Sequence, residues 1–343
     1  MLRQSSDRIC RIFKISMMKI SVVVPCYNEE GVLRTTHERL SAVCNGMQGL
    51  DHELIFVNDG SADQTQHILA ELQLRDPHVR VLLLSRNFGH QIAVTAGLEE
   101  TTGDAVVIID ADLQDPPEVI PEMVRLWREG NDVVYGIRSE REGESKFKLW
   151  TAKVFYRLIN RLSETKMPLD AGDFRLLDRR VVEVIKRMPE RARFLRGMVS
   201  WAGFRQVSIT YDRAARHAGE SKYPLAKMLN FAMDGIISFS LVPLKLAVWT
   251  GFLAICIAVL GIIAAIVDRL MHQDLPRGWA SLFVAVLFIG GVQLVSLGII
   301  GEYLGRIYTE VKRRPLYVVQ ERLGFADQTK TAPAAFYVTA NRD

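Results

Sequence analysis

The chain has four cysteines, Cys10, Cys26, Cys44 and Cys256, and no two of them stand at a CxxC or other metal-ligand spacing. That leaves no sign of a zinc site or a disulfide framework, and reduced thiols suit a cytoplasmic setting for the polar part of the chain. No GxGxxG and no GxxxxGK[ST] occurs, which argues against a dinucleotide enzyme and against a P-loop nucleotide triphosphatase. The N-terminal stretch, residues 1–16, is basic but lacks the long apolar core of a signal peptide. Because Met17 and Met18 directly precede Lys19-Ile20-Ser21, residues 1–18 read as an extension ahead of the ordered chain; a basic helix lying on a membrane is the minority reading. Charge of one sign is lacking too: 43 Lys+Arg against 39 Asp+Glu leaves a net +4. Such a mild balance excludes little, and nucleic acid is not an expected partner.

Apolar sequence is abundant and unevenly placed. With 343 residues, 49% hydrophobic and 24% charged, there is room for one large α/β domain plus an appendage. A mean hydropathy of +0.09 is high for a wholly soluble enzyme. Within residues 19–138, short runs rich in β-branched residues (20–25, 53–58, 79–85, 105–110 and 132–137) alternate with helical patterns (29–47, 63–74, 90–101 and 117–129). This alternation predicts right-handed βαβ units, a mostly parallel sheet with helices on both faces, and a site beyond the carboxyl ends of the strands. Residues 139–216 read as mixed: a basic helix around 146–162, a loop near 168–173, and helices around 179–188 and 193–201. Residues 223–240 read as an amphipathic helix suited to a membrane interface.

Two uncharged apolar runs follow, 246–267 and 280–300, each long enough to span a bilayer. The connector carries balanced charge (Asp268, Arg269, Asp274, Arg277), whereas Lys222, Lys227 and Lys245 precede the first run and Arg306, Lys312, Arg313 and Arg314 follow the second. By the positive-inside rule the expectation is a two-helix transmembrane hairpin within 241–304, in an inner (cytoplasmic) membrane. The domain 19–222 and the tail 305–343 would both be cytoplasmic, the end of that tail disordered. Hairpins of this kind often self-associate, so a homo-oligomer is a reasonable expectation.

Three polar clusters sit where strands should end. In Asp110-Ala-Asp-Leu-Gln-Asp-Pro-Pro117, alternate residues of an extended segment would point the same way, bringing Asp110, Asp112 and Gln114 to one side. Hard oxygen groups of this kind suit Mg²⁺ or Mn²⁺; an acidic turn capping the next helix is the competing reading. Val57-Asn-Asp-Gly-Ser-Ala-Asp63 and Val23-Val-Pro-Cys-Tyr-Asn-Glu-Glu30 close the second and first strands. Tyr27 offers a face for stacking on a base, Glu29 and Asp59 are acceptors for base or ribose donors, and Gly60 lets a ligand approach the backbone. Helix capping by Asn28, Ser61 or Asp63 is the plainer alternative. Arg86-Asn-Phe-Gly-His-Gln91 is a candidate for contacting the nucleotide, against the plainer reading in which Phe88 and Gly89 shape a strand-to-helix turn; His90 reads as structural.

Taken in order, Val-Pro-Cys-Tyr-Asn-Glu-Glu, Asn-Asp-Gly-Ser, Ser85-Arg-Asn-Phe-Gly-His-Gln91, Asp110-Ala-Asp-Leu-Gln-Asp-Pro-Pro117, Asp170-Ala-Gly-Asp-Phe-Arg175 and Arg216-His-Ala-Gly-Glu-Ser-Lys-Tyr223 resemble a family 2 glycosyltransferase. More narrowly they resemble the polyisoprenyl-phosphate glycosyltransferases, relatives of dolichol-phosphate mannose synthase, and above all the bactoprenol glucosyltransferase branch. The resemblance runs from about residue 19 to 323. It implies a Rossmann-like GT-A domain followed by the interfacial helix and the hairpin. It also implies a nucleoside pocket lined by Pro25, Tyr27, Glu29 and Asp59 with Gly60, and Mg²⁺ or Mn²⁺ held by Asp110, Asp112 and Gln114. Asp173 would lie near the reacting sugar carbon, and Arg216 and Lys222 on a loop closing over the diphosphate. The expected catalytic groups are Asp112, Asp173 and Arg216. Arg138, Lys146 and Lys148 are candidate ligands of the acceptor phosphate, against a plain solvated basic helix.

The resemblance thus implies inverting, metal-dependent transfer of a hexose, glucose favoured, from a nucleotide sugar (UDP-glucose favoured) to undecaprenyl phosphate, with the membrane as a further partner. Transfer of mannose or an aminoarabinose derivative is the runner-up. An inactive nucleotide-sugar-binding module and a small transporter are the rivals from other classes. The Gln-x-x-Arg-Trp motif of processive synthases is lacking, which disfavours chain elongation.

Overall fold

The computed structural model describes residues 18–138, 171–212, 242–271 and 279–325. Eight strands form one sheet: β1 (Met18–Cys26), β2 (Leu50–Asn58), β3 (Val79–Leu84), β4 (Ala105–Ile108), β5 (Val133–Arg138), β6 (Ala171–Asp178), β7 (Gln206–Tyr211) and β8 (Val319–Leu323), in the order β7-β5-β6-β4-β1-β2-β3-β8. The pairs β1/β2, β2/β3, β1/β4 and β5/β7 are parallel, while β4/β6, β5/β6 and β3/β8 are antiparallel. The first four strands were legible because helices cover both faces, which demands nearly unbroken apolar runs. Alternation then divides the core: Ile20, Val22, Val24, Leu54 and Phe56 join one buried cluster, and Val23, Ile55 and Val57 the other.

The helices α1 (Leu33–Gly46), α2 (Thr65–Arg75) and α4 (Ile120–Arg128) contribute to the first cluster; α3 (His90–Glu100), α5 (Arg179–Arg187) and α6 (Leu195–Trp201) contribute to the second. A short 3₁₀ turn, Pro117–Val119, leads into α4. Near the start of β1 lies a buried carboxylate, Glu53, which binds Lys19 Nζ and Arg80 at 2.8 Å each and accepts from Ser21 Oγ at 2.5 Å and Thr102 N at 2.7 Å.

Strands β6, β7 and β8 lie where no strand was expected. Residues 171–173, expected in a loop, begin β6. Beyond the second apolar helix, Val319–Leu323 adds an edge strand to the sheet, fixed by hydrogen bonds from Tyr317 to Glu99, from Arg322 to Glu100 (2.8 Å) and from Ser85 N to Val318 O (3.0 Å).

The chain divides into two compact units, one of residues 1–150, 167–222 and 315–343, the other of 151–166 and 223–314. The second unit contains α7 (Val242–Met271) and α8 (Trp279–Val311). Among the described residues, Phe288–Val311 is the one segment long and apolar enough to cross a membrane, and Ala247–Gly261 is a shorter apolar stretch. The expected interfacial helix 223–240, the basic helix 146–162, the extension before Met18 and the end of the tail lie outside the described residues.

Candidate active site

Strands β1 to β4 end on one rim of the sheet, and antiparallel β6 begins there. The β4/β6 register runs from Ala105↔Asp178 to Ile108↔Arg175. Two further steps put Asp110 opposite Asp173, so chain direction alone brings together carboxylates far apart in sequence. His90, the first residue of α3, stands between them, its Nε2 at 3.6 Å from Asp110 Oδ1 and 3.5 Å from Asp173 Oδ2.

The two carboxylates experience opposite environments. Burial would raise Asp173, but the hydrogen bond from His90 and the guanidiniums of Arg196 (2.8 Å) and Arg175 (3.9 Å) hold it well below the usual carboxylate range. Burial raises Asp110 as well; His90 opposes the rise, the carboxylates of Asp173, Asp115 and Asp112 add to it, and the group is pushed up to about 6. About a third of the Asp110 side chain is exposed (34%), yet its Oδ1 is buried without a hydrogen-bond partner.

The extended geometry expected of Asp110 to Gln114 is not adopted. Strand β4 stops at Ile108, residues 111–115 turn, and Leu113 takes a left-handed φ of 56°. Ala111 and Leu113 are buried, Asp110 and Asp112 stay half-buried, and Gln114 is buried, its backbone N–H donating to Asp112 Oδ1 at 3.1 Å. Among the described residues no group of three or more His, Cys, Asp or Glu closes on one metal position. Mg²⁺ and Mn²⁺ need few protein ligands and keep water or phosphate on their remaining positions. Two adjacent half-buried carboxylates, one with an unsatisfied buried oxygen, fit such an ion.

The ends of β1 and β2 are tied to each other. Asn28, at φ 56°, donates its N–H to Ser61 Oγ (3.0 Å) and accepts from Ala62 N (2.9 Å). Asn58 accepts from Ser61 N (3.0 Å), and Glu29 N donates to Thr65 Oγ1 (2.9 Å). Pro25 is buried, Glu29 is half-buried, and Tyr27 lies open with 47% of its surface exposed. Asp59 is buried and accepts from Phe88 N (2.7 Å) and Gly89 N (2.8 Å), so it fixes the loop before α3. The close approach expected at Gly60 is made by the chain itself: at φ 66°, a Cβ there would lie 2.4 Å from Arg86 C and 2.6 Å from Asn87 N.

Arg138 is the last residue of β5. Lys146, Lys148, Arg216 and Lys222 lie outside the described residues. Sequence reasoning gave His90 a structural role, named Gln91 only within a segment that could contact the nucleotide, and did not single out Arg196, although all three side chains stand beside Asp173. His90 and Gln91 follow the end of β3 as closely as the other clusters follow their strands, so the strand-end rule should have claimed them; Arg196 had no comparable signal.

A mostly parallel sheet with carboxylates and cations gathered at the strand ends has the layout of a GT-A-like group-transfer enzyme. The glycosyl transferase family 2 model matches residues 21–186, and the GtrB C-terminal hairpin model matches 242–307. The chain is 49% identical over 311 residues to the uncharacterized glycosyltransferase YkcC of Bacillus subtilis (strain 168), covering 91% of this chain and 96% of that one. It is 43% identical over 304 residues to the bactoprenol glucosyl transferase of Shigella phage SfII, covering 89% of this chain and 98% of that one. The chain belongs to glycosyl transferase family 2, and it is a glycosyltransferase.

Proposed function

We propose that this enzyme transfers a hexose, glucose favoured, from a nucleoside diphosphate sugar (UDP-glucose favoured) to a polyprenyl phosphate, with inversion, at the cytoplasmic face of the inner membrane. The observation that carries this reading is the near full-length similarity to a bactoprenol glucosyl transferase. In the transfer, a lone pair of the acceptor phosphate oxygen bonds to the anomeric carbon. The bond from that carbon to the donor's β-phosphate oxygen breaks, and its electron pair leaves with the nucleoside diphosphate. The acceptor oxygen is already anionic, so it needs positioning and desolvation more than a base.

The roles follow from the chemistry at the rim. Asp173, held ionised by its cationic neighbours, is a poor general base and a good stabiliser of positive charge on the sugar ring. Pro25, Tyr27 and Glu29 serve the nucleoside, with Asp59 and Gly60 acting through the loop before α3. Asp110 and Asp112, with Gln114 beside them, would hold Mg²⁺ or Mn²⁺, which when bound supplies positive charge opposite the departing diphosphate. Arg216 and Lys222 are assigned to the diphosphate, and Arg138, Lys146 and Lys148 to the acceptor phosphate.

We assign residues 19–222 to the catalytic domain and 223–240 to an interfacial helix, with spans at about 246–267 and 280–300. The helices containing those spans, 30 and 33 residues long, exceed the ~20 residues that a bilayer core requires. Because β8 pairs with β3, the chain rejoins the catalytic sheet after α8, which supports an even number of crossings between β7 and β8. The distribution of Lys and Arg supports a cytoplasmic position for that sheet.

The test is transfer of labelled sugar from a panel of UDP- and GDP-sugars to undecaprenyl phosphate in detergent, with Mg²⁺, Mn²⁺ or EDTA. Metal-dependent labelling of the lipid by UDP-glucose is expected. Labelling by another donor would change the sugar, and no labelling by any donor would overturn the proposal.

A further inference from the structure

We infer that Gln91 and Arg196 are positioning residues for the transfer, acting through Asp173; the inference rests on the function proposed above. Each of the two Asp173 oxygens has its own clamp. Arg196 Nε donates to Oδ1 at 2.8 Å, and Gln91 Nε2 donates to Oδ2 at 3.3 Å. Rotating the carboxylate breaks both bonds, so its orientation is fixed on a side chain only 17% exposed.

Gln91 also joins three elements. Its Oε1 accepts from Leu195 N at 3.1 Å, an amide in the first turn of α6 that lacks a partner within the helix. One carboxamide therefore links α3, the start of β6 and the start of α6. The amide supplies both a donor and an acceptor, and its two neighbours make opposite demands. Leu195 N needs an acceptor, and the Asp173 carboxylate needs a donor. Glutamate would keep the first bond and turn the second into a contact between two carboxylates, whereas lysine would keep the second and orphan the amide.

The support continues behind Gln91. Asp59 binds the backbone N–H groups of Phe88 and Gly89, and Gly60 packs under Arg86 and Asn87, so the residues leading into α3 are anchored to the end of β2. The orientation of Asp173 is thereby referred to the strand end that serves the nucleoside. Donor binding and the reacting carbon then share one rigid frame.

The closing experiment measures kcat, donor KM and Tm for full-length wild type, Gln91→Glu, Arg196→Lys, Asp173→Asn and the pair Asp173→Asn/Gln91→Glu. Displacing a reacting group by about 1 Å can cost about a hundredfold in rate. Gln91→Glu and Arg196→Lys are thus expected to lower kcat by roughly 10- to 100-fold while donor KM stays within about threefold. In the pair, the introduced asparagine can donate to the introduced glutamate, so the pair is expected to regain the Tm that Gln91→Glu alone loses. Wild-type kcat in both single variants would overturn the inference. So would a parallel loss of kcat, donor affinity and Tm with no recovery in the pair, which is the mark of a purely structural tie. Absence of transfer by the wild type would instead reject the functional reading and, with it, the inference.

Discussion

Replacing Asp110 by Asn is expected to stabilise the metal-free protein while abolishing transfer. The carboxyl is pushed from an ordinary 3.8 up to about 6 by burial and by three neighbouring carboxylates, with His90 opposing. At about 1.4 kcal/mol per unit the shift sets a ceiling of about 3 kcal/mol. The side chain is a third exposed, so solvent screening reduces that to about 1–2 kcal/mol. The sign follows from linkage: a folded pKa above the unfolded one means that the folded state holds its proton to higher pH. The charge penalty is therefore small near pH 4, grows between pH 4 and 6, and is complete above 6. Asparagine has nearly the same shape and never carries the charge. In EDTA at pH 8 its Tm should exceed that of the wild type by about 3–6 °C, and the difference should vanish near pH 4. Adding Mn²⁺ should raise the wild-type Tm and leave the variant's unmoved. A variant no more stable than wild type at pH 8, or equally stabilised at both pH values, would refute the assignment of Asp110 as a strained anionic ligand.

Other expectations come from the scaffold around the rim. Gly60→Ala places a methyl against the backbone of Arg86 and Asn87 at a left-handed φ, and should cost at least about 3 kcal/mol in denaturant unfolding; an unchanged midpoint would contradict it. Glu53→Gln leaves Lys19 and Arg80 without their shared carboxylate and should cost about 2–4 kcal/mol at neutral pH. Burial would raise the Glu53 carboxyl, but its donors hold it below the ordinary value. Its contribution is therefore present above about pH 4.5 and lost as pH falls through the folded pKa, so wild type and variant should converge in acid unfolding. Truncation after Arg314 removes β8 and bares the edge of β3, which should lower Tm and promote aggregation although α7 and α8 remain; light scattering and thermal unfolding decide it. Reporter fusions should place the C-terminus on the same side as the catalytic domain and residues 272–278 on the other, and a C-terminus across the membrane would contradict the even crossing.

The parallel half of the sheet was legible because burial on both faces leaves little choice of residue: Val22, Val23 and Val24 are all fully buried, as are Ile55, Phe56 and Val57. Strand β5 was legible too, within residues 132–137, whereas β6 and β8 gave weaker signals for identifiable reasons. In β6, Ala-Gly-Asp-Phe-Arg-Leu-Leu-Asp, the site itself interrupts the apolar pattern: Asp173 faces the rim and Arg175 is buried beside it. The sequence of β8, Val-Gln-Glu-Arg-Leu, is polar because it forms an edge, where charge discourages further strands from adding. The turn at residues 111–115 escaped the alternation rule because that rule presumes an extended backbone, and Leu113 breaks it with a positive φ.

The place of His90 between the two carboxylates was hidden for a different reason. A residue after Phe-Gly at a helix start has an adequate explanation in turn geometry, and nothing local reveals that β6 returns antiparallel to set Asp173 against Asp110. The electrostatics of the rim depend on that return. Burial would raise both carboxyls that flank the imidazole, but the hydrogen bond from His90 and the guanidiniums of Arg196 and Arg175 hold Asp173 down, whereas at Asp110 the neighbouring carboxylates add to the rise that burial causes. One carboxylate is thus compensated by the protein, and the other keeps an unsatisfied oxygen. Under the function proposed above, the unsettled charge at Asp110 is where a divalent cation would bind together with the donor diphosphate.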